Sequence, residues 1–198
     1  MTDISSEMIF SVFAVFFTTV AGASAALLGV IEGLADLSAC SLDYLAGWLS
    51  DHTGRRKSLA LLGYGFSALA KTILLASSSV PALGTFRIVE RLGKSFRGPP
   101  RDAWLSDVAE QGIRGYSFGI HKALDKSGAV LGPLLAYGLL SWLGDTLAAY
   151  RAVFRLATMP ALLAVGLLAL LPERPGARHE REELDRKSVV EGKSVDLG

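Results

Sequence analysis

The sequence predicts an all-α polytopic membrane protein. Hydrophobic residues make up 51% of the chain, and they stand in long blocks rather than alternating with polar residues. The charged residues, 20% of the total, gather mostly between those blocks. A bilayer span needs about 20 predominantly apolar residues. Lipid offers no hydrogen-bond partner to the backbone, so each block is expected to be a helix that satisfies its own peptide groups.

The blocks give six spans, at residues 8–20, 23–49, 59–76, 80–96, 116–143 and 150–171. The first is short for a span and is expected to be truncated at its start. Ser77 to Ser79 and Pro81 mark the turn after the third. The fourth carries Arg87, Glu90, Arg91 and Lys94, and Gly98, Pro99 and Pro100 are expected to end it. Proline lacks a backbone donor and restricts the residue before it. The charged stretch 101–114 is expected to hold a short surface helix. Gly144 and Asp145 form a turn signal before the sixth span, and Pro172 stops that span. The helical bundle is therefore placed at 1–172. Residues 173–184 read as a charged cytoplasmic linker. Residues 185–198 change character and read as a non-native or disordered tail, so both ends of the chain look cut.

Several functions are excluded at this level. The net charge of +1 gives nucleic acid no reason to bind. The one cysteine, Cys40, lies in an apolar stretch and is expected to be a small buried residue. It forms no internal disulfide and belongs to no metal-binding pattern. No metal and no cofactor are expected. His52, His121 and His179 stand on different segments, so a membrane-embedded enzyme is not expected. No phosphate-binding loop of the GxxxxGK[ST] kind occurs, which excludes nucleotide hydrolysis as the driving force. No cleavable signal peptide is evident, because Asp3 and Glu7 stand where a basic leader would be.

Basic residues in short loops orient a membrane protein. Arg55, Arg56 and Lys57 follow the second span, and Arg97, Arg101 and Arg114 follow the fourth. The turn between the third and fourth spans carries no charge. This pattern places both termini and both basic loops in the cytoplasm, although Arg151 and Arg155 after the fifth span run against it.

Residues 47–57 read GWLSDHTGRRK. Gly47 lets a neighbouring helix approach. Asp51 can accept hydrogen bonds from a helix N-terminus and from Arg55. Gly54 permits a tight turn, and Arg55, Arg56 and Lys57 hold the loop on the cytoplasmic side. This loop resembles the signature loop of the major facilitator superfamily, with His52 in place of the usual arginine or lysine. A second likeness lies in the fifth span. Gly119, Gly128, Gly132 and Pro133 resemble the family's fifth-helix antiporter motif, with Ala136 and Tyr137 where two glycines are usual. The segments RIVERLGKSFRGPPRD (87–102) and GVIEG (29–33) are similar to the fourth and second helices of its bacterial drug-efflux-like or sugar-transporter-like branch.

The resemblance covers residues 3 to 172 and implies the N-terminal six-helix half of a twelve-helix fold. It implies a plasma-membrane (inner-membrane) secondary transporter of a small solute working by alternating access, with proton-coupled efflux as one mode. A substrate cavity forms between two halves in this family, so this half needs its C-terminal half or a second copy. The alternative is a non-transporting fragment or half-size membrane protein.

Ionisable residues at membrane depth face a polar interior, pair with one another, or line a pathway. Glu32, Asp36 and Asp43 fall within about 40° on a wheel of about 100° per residue, an acidic stripe on the second span. Glu90 and Arg91 lie in the fourth span with Arg87. Lys122, Asp125 and Lys126 sit at i, i+3 and i+4, where Asp125 can pair with a lysine of its own helix. Glu32, Asp36, Glu90, Arg91 and Asp125 are the candidates for a proton or substrate path. The opposing interpretation is a static polar network that locks the second, fourth and fifth helices together.

Overall fold

A computed structural model describes residues 2–109 and 111–170. Pro172, His179, the linker at 173–184 and the tail at 185–198 lie outside the described residues. Among the described residues the chain forms six α-helices and no strand. They are α1 (Thr2–Val15), α2 (Ala25–Thr53), α3 (Arg56–Ala76), α4 (Val80–Val108), α5 (Arg114–Leu143) and α6 (Leu147–Leu170). α1 runs on through a wider π-helical turn, Phe16–Val20.

Local chemistry explains most boundaries. Gly22 turns the chain with φ of 68°, and Ser24 caps α2 by accepting the Leu27 N–H at 3.2 Å. α2 ends at Gly54, whose φ of 65° lies in the left-handed region that glycine adopts without penalty. The expected tight turn at Gly54 is therefore present. Ser77 and Ser79 are extended and separate α3 from α4. Pro81 sits in the first turn of α4, where its missing donor costs nothing. Gly144, with φ of 77°, ends α5.

Two boundary expectations are corrected. Pro99 and Pro100 do not end the fourth helix; α4 continues through them to Val108. Pro100 is buried, and Pro99 touches the α2 face at Gly47, so tertiary packing holds the helix where the local preference would break it. Consequently the stretch 101–114 is no separate surface helix. Its first part is the last two turns of α4, and a short 3₁₀ turn, Gln111–Ile113, leads into α5. The first span also begins earlier than its apolar block suggests, because Thr2, Ser5 and Ser6 are buried helical residues.

Among the described residues four helices are long and apolar enough to cross a membrane: α1 with its π turn, α2, α3 and α6. α4 and α5 have 29 and 30 residues, about 43 and 45 Å at 1.5 Å per residue. They are long enough to span.

α1 packs between α5 and α6, α3 packs on α4 and α6, and α2 lies against α4. The core is aromatic where α1 finishes and α6 begins. Phe13, Phe16, Phe17, Phe86, Tyr150 and Phe154 are all buried there. Phe16 meets the Phe154 ring edge-on at 5.1 Å. α3 and α4 cross on glycines. A methyl group on Gly63 would stand 2.7 Å from the Arg97 backbone nitrogen, and one on Gly93 would stand 2.8 Å from Ser67. Large apolar side chains on α2, α5 and α6, such as Leu37, Leu134 and Leu163, point outward, as bilayer-facing surface does. Cys40 is exposed on α2 rather than buried, because it borders an open cavity between α2 and α4.

Candidate functional site

Charge at depth is organised around α4. Arg87, Arg91, Lys94 and Arg101 recur at intervals of three, four and seven residues and so share one face of that helix. Each is matched by an acid from another helix. Arg87 grips Glu32 of α2 through two nitrogens, its Nη2 donating to Oε2 at 2.6 Å. Arg91 pairs with Asp36 of α2. Lys94 lies 3.5 Å from Glu7 of α1. Arg101 donates to Asp125 of α5 at 3.3 Å. The ladder therefore ties α1, α2 and α5 to one central helix. Phe10 of α1 stands beneath two of its rungs, 4.1 Å from the Arg87 guanidinium and 5.8 Å from the Lys94 ammonium.

Behind this face lies a second, fully buried polar row. Glu90 accepts a hydrogen bond from Ser6 of α1 at 2.6 Å. Lys71 of α3 reaches both Glu90 and Ser6 at 3.4 Å. The Lys71 and Glu90 side chains are 0% exposed, and the second oxygen of Glu90 has no hydrogen-bond partner. Two turns further along α4, buried Arg97 donates to Ser67 at 2.8 Å and to Asp3 at 3.4 Å, with its guanidinium over the Tyr64 ring. Burying a charge is costly unless it is paired, so these residues form a connected network by necessity.

The signature loop is placed as follows. Arg56 pairs with Asp107 at the end of α4 and donates to the Ala103 carbonyl at 2.8 Å. Lys57 reaches the Ala169 carbonyl of α6 at 3.1 Å. The loop thus clips three helices together. Asp51 and Arg55 are exposed, and neither makes the expected Asp51–Arg55 contact. Asp51 has no hydrogen bond or ion pair among the described residues, because α2 carries it away from the α3 start. A methyl group on Gly47 would stand at an ordinary 3.7 Å from Pro99, so there is room for one.

In the fifth helix, Gly128 and Gly132 let α1 approach. A methyl on Gly132 would stand 2.8 Å from the Met8 nitrogen, and one on Gly128 would stand 3.1 Å from the Ile4 nitrogen. Pro133 follows within the helix, while Gly119 faces open space. Asp125 pairs with Arg101 and lies 3.5 Å from His121, rather than pairing with a lysine of its own helix. Asp43 is exposed and borders a small cavity with Asp36 and Arg91.

The structure therefore brings Glu32, Asp36, Glu90, Arg91 and Asp125 onto one α4-centred network, and leaves Asp51, Arg55 and Gly119 outside it. Sequence reasoning missed Ser6, Asp3, Glu7 and Asp107 as partners, and Gly63 and Gly93 as the crossing point. Gly63, Ser67 and Lys71 stand four residues apart, a small-residue spacing that signals a close helix crossing.

Comparison with known proteins identifies the family. A profile described as Major Facilitator Superfamily matches residues 1–195. An uncharacterized MFS-type transporter of Methanocaldococcus jannaschii is 31% identical over 181 residues, covering 91% of this chain and 44% of the relative. An uncharacterized protein of Mycobacterium tuberculosis is 33% identical over 153 residues, 77% of this chain and 37% of the relative. Facilitated glucose transporter protein 1 of Caenorhabditis elegans is 26% identical over 155 residues, 72% of this chain and 29% of the relative. The chain thus spans less than half the length of these relatives. Its helical architecture and these similarities agree: the chain belongs to the major facilitator superfamily.

Proposed function

We propose that the full-length protein is a secondary transporter that moves a small solute across the plasma membrane by alternating access, coupled to protons in the efflux direction. One observation carries the reading: charged residues of α1, α2 and α5 are mated helix to helix along α4. A static membrane scaffold has no need of so many partly exposed charge pairs, whereas a protein that rearranges can trade one set of ion pairs for another. Relatives named for myo-inositol and glucose transport support a small solute as cargo.

Within the network, Glu90 is the proton site. Both oxygens of Glu32 are held by Arg87, and Asp36 pairs with Arg91. In Glu90 one oxygen accepts from Ser6 and Lys71 while the other has no hydrogen-bond partner among the described residues, so a proton can be added there without breaking a bond. Both termini of this half lie in the cytoplasm, and a second six-helix half or a second copy closes the cavity.

The test is flux. The full-length protein is placed in proteoliposomes with an internal pH dye, and outward or inward gradients of myo-inositol, glucose, succinate and amino acids are imposed. Antiport predicts that one of these gradients drives protons the opposite way, and that Glu90→Gln stops the proton movement while solute exchange continues. Solute flux with no proton movement removes the coupling. No flux for any solute class removes the transport reading.

A further inference from the structure

α1, α4 and α5 enclose a half-open cavity of about 320 Å³ with ionised walls, a volume that suits a small metabolite. Resting on the transport reading above, we infer that this cavity selects a small organic anion, a solute bearing a carboxylate or phosphate group.

The argument is a matching of charges. Every acid on the wall already has a basic partner. Asp3 has Arg97, Glu7 has Lys94, Asp125 has Arg101, and Asp102 has Arg101 and Lys122. The cations are not all used. Lys126 lines the cavity with no hydrogen bond or ion pair among the described residues. Two other ammonium groups are held loosely, Lys94 at 3.5 Å from Glu7 and Lys122 at 3.8 Å from Asp102. A well-made ammonium–carboxylate bond is about 2.7–2.9 Å. An entering cation would find carboxylates already neutralised, whereas an entering anion finds one unpaired ammonium and two that can turn toward it.

Exposure strengthens the case. Lys126 is exposed at the cavity wall, so its ammonium can turn toward a ligand there. Gly98 leaves the space open, since nothing lies within 4 Å of where its side chain would begin. A neutral sugar or polyol gains nothing from an unpaired ammonium that water does not already supply.

The test measures binding apart from flux. The full-length protein is reconstituted in phosphatidylcholine nanodiscs, and succinate, inorganic phosphate, choline and myo-inositol are titrated by calorimetry at fixed ionic strength. Saturable binding of succinate or phosphate is expected. Lys126→Gln should weaken it by up to about fivefold, the upper end for one exposed charge pair. Lys126→Arg should restore it, and the distant Arg151→Gln should leave it unchanged. Binding of choline or myo-inositol alone, or anion binding indifferent to Lys126, overturns the inference. Anionic phosphatidylglycerol in the disc that blocks Lys126-dependent binding at low mole fraction, with no solute anion able to compete it off, assigns the cavity to a lipid headgroup and also overturns it. The two readings fail separately. Myo-inositol flux without anion binding leaves transport standing and removes the anion site. Lys126-dependent anion binding without flux of any solute does the reverse.

Discussion

The two ends of the bundle are built on different physics. Where α1 finishes and α6 begins, the interior is a cluster of rings, Phe13, Phe16, Phe17, Phe86, Tyr150 and Phe154. Toward the opposite end, where α1 begins and α4 finishes, the interior holds Ser6, Lys71, Glu90, Ser67 and Arg97. Rings pack without strict direction and tolerate replacement by groups of similar volume. Buried charges are stable only as complete sets. One end can therefore serve as a fixed mass around which the protein is anchored, while the other carries groups whose pairing can change.

That contrast can be broken or sharpened by substitution. The largest effect is expected from removing half of the buried pair. Lys71→Ala leaves Glu90 uncompensated and should cost about 3–5 kcal/mol of stability, measured by thermal or denaturant unfolding in mild detergent. Replacing both residues together, Lys71→Met with Glu90→Leu, should recover most of that loss. A double variant as unstable as the single one would show that the charged end is not held by pairing. Next comes the glycine crossing. Gly63→Ala drives a methyl into the Arg97 backbone and should cost about 1–3 kcal/mol, read by the same unfolding assay. At the aromatic end, Phe16→Leu keeps the side chain apolar and should cost less than about 1.5 kcal/mol. A larger loss there than at Gly63 would reverse the comparison. The smallest structural effect belongs to the loop clip. Asp107→Asn should lower stability by about 1 kcal/mol or less, because the pair with Arg56 is partly exposed. Asp51→Asn should not change the stability of this half measurably, since its carboxylate makes no hydrogen bond or ion pair among the described residues.

Much of this organisation is written in the order of residues. The apolar blocks reveal the helices because hydropathy is a local property. Gly54 announces its turn, and the spacing of residues 47–57 carries the family. The long reach of α4 is not legible, because proline's local preference points to a break and only the contact with α2 and burial in the bundle overrule it. Nor is the pairing scheme legible. The sequence places Asp125 beside lysines of its own helix, yet Arg101 reaches it first across the α4–α5 gap. Glu90 and Lys71 stand on different helices, and only the Gly63–Gly93 crossing brings those helices close enough for the two side chains to meet. Partners set by helix crossing are a three-dimensional property, and single residues such as Ser6 or Asp3 show no signal of it along the chain.

The central claim is that Glu90 binds and releases a proton in the full-length protein. Difference infrared spectroscopy across a pH titration, in lipid vesicles, reports protonated carboxyl groups directly and needs no substrate. The account predicts a protonated-carboxyl band that appears as pH falls and is missing in Glu90→Gln. An identical band in that variant, or no titrating band in the unaltered protein, would contradict it.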